Sequence, residues 1–244
     1  MYKGKSVVGM FLMMIMSVMM GQDVQTLLQK VEHAQRAADS YVGKMLLTTY
    51  DGERKTGEAS LELYVKGLEL SIARYLTPSG DRGKAILQRG RDYWFYFPKT
   101  RQSVKISPKQ RLLGDAMVGD VVKPPLLATY TVTLVSNTSR ESVFELVAKD
   151  DSAPYQYILL WWNTAEEKIT KEEFYTRTRV HLKTARYLAH RRIKNYNFAT
   201  KVEIQDALVT NKKTEIEMVD LQERVLRDQI FYPESLDYLP YTYR

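Results

Sequence analysis

The sequence predicts one mainly β domain, a curled antiparallel sheet with a few covering helices. From Gly43 onward, apolar and polar residues alternate with the two-residue period of strands, most clearly over Leu61–Val65. Asp51-Gly52 and Lys66-Gly67 are typical of hairpin turns and bound that strand. Many strands joined by short turns form an antiparallel meander, and such a sheet curls to limit its exposed edges.

The N-terminus has the layout of a secretory signal peptide. Lys3 and Lys5 precede an apolar run, Val7–Met20, which is shorter than the roughly 20 residues that span a bilayer. We expect a cleaved signal peptide over residues 1–22, with cleavage near Gly21/Gln22, and a single domain over 23–244. The chain contains no cysteine, which excludes an N-terminal lipid anchor on cysteine and disulfide stapling. These features predict a bacterial periplasmic protein.

One helix is predicted at the start of this domain. Asp23–Tyr41 carries a single apolar stripe at helical spacing, with Asp23 as the N-cap. Such a stripe docks on another element. Its members are Val24, Leu27, Leu28, Val31, Ala34 and Ala38.

The remaining chain is predicted to be mostly strands. The predicted strands are Leu68–Leu76, Lys84–Arg89, Asp92–Phe97, Gln102–Ile106, Tyr130–Val135, Val143–Lys149, Tyr157–Trp162, Ile169–Tyr175, Val180–His190, Ala199–Gln205 and Thr214–Asp220.

Two segments lack strand alternation. Ser107–Pro125 is rich in proline and predicts a long connection, with a helical turn around Pro108–Leu113; long loops in compact domains tend to be functional. Phe231–Arg244 predicts an irregular tail with a helical turn at Glu234–Tyr238.

The strand Asp92–Phe97 has aromatic residues on both faces. Trp94 and Tyr96 alternate with Tyr93, Phe95 and Phe97. Two explanations stay open: a central strand buried on both sides, or the wall of a cavity for a lipid-like ligand.

No catalytic or metal-binding motif is recognisable. The three histidines, His33, His181 and His190, have no spacing suited to zinc or to acid–base work, and no nucleophile elbow or phosphate-binding loop is present. We therefore expect a protein without enzymatic activity, cofactor or metal. The acidic pairs Asp150-Asp151, Glu166-Glu167 and Glu172-Glu173 are expected to be solvated.

Basic residues cluster in two stretches of this basic chain, whose formal net charge is +7. Between Arg82 and Arg111 nine lysines or arginines stand against one acid, Asp92, and a second run covers Arg177–Lys194. Either a solvated outer face or a surface for anionic lipid or a membrane partner fits this pattern. Aromatics between basic residues also suit single-stranded nucleic acid, but export disfavours that partner.

The segment Ser79–Asp120 resembles the bacterial outer-membrane lipoprotein-sorting family, the LolA-like and LolB-like superfamily. The matching pieces are the Gly80–Gly83 turn, the aromatic strand ending in Pro98, Arg101, Ile106–Pro108, Arg111–Gly114 and Gly119-Asp120, with a further match over Thr214–Leu236. The resemblance implies an incomplete, half-open β-barrel around a hydrophobic cavity, with Asp23–Tyr41 and Ser107–Pro125 as the lid.

What this resemblance implies is a periplasmic carrier of lipoprotein acyl chains or other lipid toward the outer membrane. An inner-membrane transporter or an outer-membrane receptor is the expected partner of a monomeric carrier. The alternative is a non-enzymatic adaptor or subunit of an inner-membrane export complex, its interior filled by its own side chains. Arg82, Arg101 and Arg111 are expected at the cavity mouth. The expected cavity residues are Leu61, Leu63, Val65, Trp94, Tyr96, Ile106, Leu112, Phe144, Leu146, Leu160 and Trp162.

Overall fold

The computed structural model describes residues 24–35, 39–193 and 195–239, without the side chain of Tyr196. The predicted signal peptide over residues 1–22 and the cap Asp23 lie outside the described residues.

Helix α1 spans residues 24–34, and β1 begins at Ser40, so the predicted helix over Asp23–Tyr41 was too long at its C-terminal end. Tyr41 belongs to β1, where alternate residues are buried. Its ring packs edge-on against Phe198, with centroids 6.5 Å apart.

Within the described residues, thirteen strands form one sheet, and it is antiparallel, as the sequence predicted. Asp92–Phe97 and Gln102–Ile106 match the predicted bounds, and the other predicted strands differ by a few residues at their ends. The sheet strands are β1 (Ser40–Asp51), β2 (Arg54–Lys66), β3 (Leu70–Thr77), β4 (Ala85–Arg89), β5 (Asp92–Phe97), β6 (Gln102–Ile106), β9 (Tyr130–Asn137), β10 (Glu141–Ala148), β11 (Tyr157–Asn163), β12 (Lys168–Tyr175), β13 (His181–Ile193), β14 (Tyr196–Asp206) and β15 (Lys212–Glu223); the short β7 (Arg111–Leu113) and β8 (Ala116–Met117) pair separately.

The sheet curls without closing. Its order is β6-β5-β4-β3-β2-β1-β15-β14-β13-β12-β11-β10-β9, so the first strand pairs with the last and β6 and β9 form the two edges. This is the open, barrel-like arrangement that the resemblance implied.

The connection between the two edges, which we call the cover segment (residues 107–129), crosses the concave face. It contains β7, β8, α2 (Val118–Val121) and α3 (Leu126–Thr129). Val118, Val122 and Leu126 are buried in the same cluster as the concave side chains of the sheet. The helical turn predicted around Pro108–Leu113 lies instead at α2, because the residues after Gln110 pair as β7 and β8.

Both faces of the sheet are covered, but by different parts of the chain. On the concave face α1 and the cover segment pack on the main hydrophobic cluster. On the convex face of β2 to β5, residues 226–239 cover a second cluster that includes Trp94 and Tyr96. This C-terminal segment contains two 3-10 helices, Asp228–Phe231 and Pro233–Asp237, and the second confirms the helical turn predicted near Glu234–Tyr238.

Within the part of the chain that the structure describes, no helix has the length and apolar character needed to cross a membrane.

Candidate functional site

A cavity opens on the concave face between the sheet, α1 and the cover segment. Its empty volume is about 930 Å³, including space open to solvent at the mouth. Strands β1, β2 and β12 to β15 supply most of the wall, α1 supplies Ala34, and Val121 and Val122 close the wall from the cover segment. The apolar sheet residues of the wall are Tyr41, Met45, Leu63, Val65, Ile169, Phe174, Ala185, Phe198, Ala199, Val202, Ile204, Ile216 and Met218.

The residues predicted for the cavity fall into three groups. Leu63 and Val65 line it. Trp94 and Tyr96 lie on the opposite face of the sheet, where the C-terminal segment covers them. The other predicted residues pack in the concave cluster without lining this cavity; they are Leu61, Ile106, Leu112, Phe144, Leu146, Leu160 and Trp162.

The aromatic strand therefore has a structural explanation. Tyr93 and Phe95 belong to the concave cluster, while Trp94 and Tyr96 belong to the convex one. The strand is apolar on both faces because each face is covered by a different segment. Tyr96 donates its hydroxyl to Asp237 at 2.6 Å, which ties β5 to the C-terminal segment.

The three arginines predicted for the mouth do not line the cavity. Arg82 is exposed and donates Nε to the main-chain oxygen of Leu76 at 3.2 Å. The Arg101 side chain is 77% exposed, with Nε 3.7 Å from Asp237. Arg111 lies beside a separate surface hollow.

Charged residues form a feature of the cavity wall that the sequence did not predict. Asp120 in α2 accepts from Lys183 Nζ on β13 at 2.6 Å, and both side chains are about 5% exposed or less. Lys123, just after α2, donates to Glu172 Oε2 on β12 at 3.0 Å, and the Glu172 side chain is 3% exposed. The cover segment thus contributes one acidic and one basic side chain, and the sheet contributes the oppositely charged partner of each.

Tyrosine hydroxyls complete this network. Lys123 Nζ donates to Tyr187 Oη at 2.6 Å, Tyr187 hydrogen-bonds Glu172, and Tyr155 donates to Asp120 at 2.7 Å. Burial, together with the neighbouring carboxylates, raises the pKa of Tyr155 and Tyr187 well above the usual value. Both phenols are therefore protonated donors at neutral pH.

Two sequence expectations about these charges were wrong. Glu172-Glu173 was expected to be solvated, but alternation along β12 turns Glu172 into the cavity wall and leaves only Glu173 on the outer face. Lys183 lies in the basic run Arg177–Lys194, yet it is buried beside Asp120. The two-residue period of a strand could have predicted both positions. Glu172 shares the inward face of β12 with Phe174, and Lys183 shares the inward face of β13 with Ala185.

The site contains no arrangement typical of a metal centre. Among the described residues, no group of three or more His, Asp or Glu side chains could hold a metal ion. His190 lines the cavity, and its Nε2 lies 2.8 Å from the main-chain oxygen of Ile169. Burial lowers the pKa of His190 below its usual value.

Known proteins share this architecture. A family model described as "Uncharacterized protein" matches residues 67–238. No curated protein matches the sequence significantly. A putative outer membrane lipoprotein-sorting protein domain from Vibrio parahaemolyticus superposes with a TM-score of 0.74 at 18% identity, over 88% of this chain and 96% of that one. A DUF1329 family protein from Desulfovibrio piger gives a TM-score of 0.72 at 16% identity, over 86% and 95% of the two chains.

A closer likeness is to the LolA superfamily protein NE2245 from Nitrosomonas europaea. The two chains are 31% identical, with a TM-score of 0.77 over 85% of this chain and 96% of that one. The resemblance found in the sequence is thereby confirmed, and the chain belongs to the LolA superfamily.

Proposed function

We propose that this protein is a non-enzymatic periplasmic carrier that holds an acyl chain, of a lipoprotein or of another lipid, in its concave cavity. The observation that carries the proposal is the apolar cavity itself, enclosed between the curled sheet, α1 and the cover segment. Its wall is predominantly apolar and carries a few polar side chains, as is usual for ligand sites. The predicted signal peptide supports export, and membership of the LolA superfamily supports a carrier role.

Hydrocarbon burial would supply the binding energy. Each methylene removed from water contributes about 0.8 kcal/mol, so ordering one alkyl chain along this wall is favourable without polar contacts. The wall offers the aliphatic and aromatic side chains that such a chain needs, including Leu63, Ile204 and Ile216.

The nucleic-acid alternative finds less support in the aromatic strand. Tyr93 is buried and Phe95 is half-buried, so of the row Tyr93, Phe95 and Phe97 only Phe97 is exposed. Base stacking needs open aromatic faces.

A pair of variants on one strand tests the carrier proposal. Ala185 on β13 is buried and lines the cavity, whereas Ala189 on the same strand is exposed and does not. We expect Ala185→Phe to fill the cavity and Ala189→Phe to leave it open. Two measurements follow: mass spectrometry of lipid extracted from each protein purified from its native envelope, and binding of N-phenyl-1-naphthylamine, an apolar fluorescent probe.

Lipid and probe should be present with the parent chain and with Ala189→Phe, and be lost or strongly reduced with Ala185→Phe. Absence of both lipid and probe binding from the parent chain would refute the carrier and favour the adaptor of an export complex. A circular dichroism spectrum and urea midpoint for each variant show that loss of binding does not reflect unfolding, since overpacking costs about 1–3 kcal/mol.

A further inference from the structure

The hairpin of β5 and β6 presents apolar side chains to solvent. Phe97 is 40% exposed and Val104 is 49% exposed, although both are apolar. Phe95 lies opposite Val104 in the register of the two strands, and its ring centroid is 4.9 Å from that of Phe97. The three side chains therefore share one face of the hairpin and form a small apolar patch beside β6, at an edge of the sheet.

Basic side chains surround this patch. The turn between β5 and β6 carries Lys99 and Arg101, and both are exposed. The turn before β4 packs against it, since a Cβ at Gly83 would lie 3.6 Å from Pro98, and this second turn adds the exposed Arg82. We define the basic rim as the exposed side chains of the two turns and the hairpin, which are Arg82, Phe97, Lys99, Arg101 and Val104.

The acidic residues near the basic rim do not neutralise it. Asp81 pairs with Lys84 at 2.5 Å, which is not a rim residue. Asp237 lies 3.7 Å from Arg101 Nε, and the Arg101 side chain stays 77% exposed. Neither of the other two rim cations has an acidic partner among the described residues. The basic rim therefore keeps a net positive charge.

This combination of side chains favours one kind of partner. Exposed apolar residues with Lys and Arg beside them are typical of surfaces that lie on anionic bilayers, where the apolar groups enter the interface and the cations attract lipid phosphates. The rim cations extend from two separate turns on long side chains. Such cations suit many mobile phosphates better than a single acidic side chain in a fixed position.

We propose that the basic rim docks the protein on a bilayer that contains anionic lipid, with Phe97 and Val104 in the interface and the rim cations on lipid phosphates. None of the rim residues lines the main cavity, so this inference does not depend on what the cavity holds. It also gives a role to the exposed end of the aromatic strand and to the basic stretch that follows it.

Vesicle binding of the protein purified from its native envelope tests this inference. Flotation titrations compare phosphatidylcholine vesicles with vesicles that also contain roughly 30% phosphatidylglycerol. We expect binding to the anionic vesicles to be about tenfold tighter or more, because several rim cations approach the surface together. Raising the salt concentration from about 0.05 M to about 0.5 M should weaken this binding, since salt screens exposed charges.

Two variants with matched controls locate the contact. Lys99→Gln should weaken binding to the anionic vesicles about fivefold, whereas Lys44→Gln, which removes the same charge from an exposed position of β1, should not. Phe97→Ser should weaken binding about tenfold, whereas Val225→Ser, at a valine that is 95% exposed, should not. A urea midpoint close to that of the parent chain shows that each variant is folded.

An environment-sensitive label measures entry into the bilayer. The chain contains no cysteine, so Val104→Cys provides a single site for an NBD fluorophore, and Val225→Cys provides the control. With anionic vesicles we expect the emission of the label on Val104→Cys to rise and to shift to shorter wavelength. The emission of the label on Val225→Cys should stay constant.

Three results would overturn this inference. The first is equal binding to both kinds of vesicle, and the second is unchanged binding of both Lys99→Gln and Phe97→Ser. The third is vesicle binding without any change in the emission of the label on Val104→Cys. If the protein binds poly-glutamate but no vesicles, the inference also fails and the basic rim is assigned to an acidic protein partner.

The variant Ala185→Phe separates this inference from the carrier proposal. It fills the main cavity and should leave vesicle binding unchanged, because the basic rim is intact. Loss of vesicle binding in Ala185→Phe would overturn the inference and assign the lipid contact to the cavity. Absence of extracted lipid and of apolar probe binding in a parent chain that still binds anionic vesicles would refute the carrier alone.

Discussion

The ion pair between Lys183 and Asp120 gives the sharpest stability prediction. In Lys183→Met the side chain keeps its length and loses its charge, and Asp120 keeps the hydroxyl of Tyr155 and the N–H of Met117, each at 2.7 Å. Breaking a buried pair from one side costs about 3–5 kcal/mol, because the other charge stays buried. The two remaining donors lower that cost, so we expect a loss near the lower limit, about 3 kcal/mol.

Urea unfolding followed by tryptophan fluorescence measures this loss. A destabilisation of about 3 kcal/mol corresponds to a melting temperature lower by roughly 6–12 °C for a domain of this size. Arg177→Met is the control, because Arg177 pairs with Asp151 at the surface, where the two side chains are 68% and 81% exposed. Removing that pair should cost less than about 1 kcal/mol.

A double-mutant cycle with Asp120→Asn isolates the pair itself. We expect a coupling of about 1–3 kcal/mol between the two positions, since they share one buried contact. A loss in Lys183→Met no larger than in Arg177→Met would contradict this prediction. It would mean that the cover segment is not docked on β13 in solution.

Three further predictions concern other parts of the molecule. Phe231→Ala should cost about 3–5 kcal/mol in urea unfolding, because Phe231 is fully buried where the C-terminal segment covers the sheet; a loss below about 1 kcal/mol would contradict that docking. Gly114→Ala should destabilise the protein more than Gly52→Ala. Both glycines have positive φ, but a Cβ at Gly114 would lie 2.5 Å from Thr214 Oγ1, whereas a Cβ at Gly52 would have no atom within 4 Å. Equal melting temperatures of the two variants would contradict this prediction. Burial lowers the pKa of His190 in the folded state, so its contribution to stability is complete above a pH of about 6.5 and is lost as the pH falls through that lowered pKa. His190→Gln should therefore make the melting temperature depend less on pH between about pH 7.5 and 5.5. A variant whose melting temperature changes with pH as steeply as that of the parent chain would contradict this prediction.

Strand positions were predictable from the sequence because the two-residue period is a local property of the chain. The pattern predicted β5 and β6 to the residue, since turn residues bound both. The prediction extended helix α1 too far because Tyr41 fits both the helical and the strand pattern of apolar residues. Tyr41 belongs to a strand because it pairs with Glu223 of β15, which is far away in the sequence.

The cavity residues were less predictable. When a strand is apolar on both faces, its sequence pattern does not indicate which segment of the chain covers each face. Trp94 and Leu63 look equivalent in sequence, yet one lies under residues 226–239 and the other faces the cavity. The charged wall was missed for a related reason. Glu172 is a core residue only because the cover segment brings Lys123 to it.

The pairing of β1 with β15 has a consequence for how the chain folds. Tyr41 lies opposite Glu223 and Asp51 lies opposite Lys212, so the first and the last strand of the sheet along the chain pair at its centre. Hairpins on either side can form early, but the middle of the sheet stays unpaired until the last strand has emerged. Contacts between residues so distant in sequence slow folding. We therefore expect the unfinished chain to expose two unpaired strand edges and to depend on chaperones during its biogenesis.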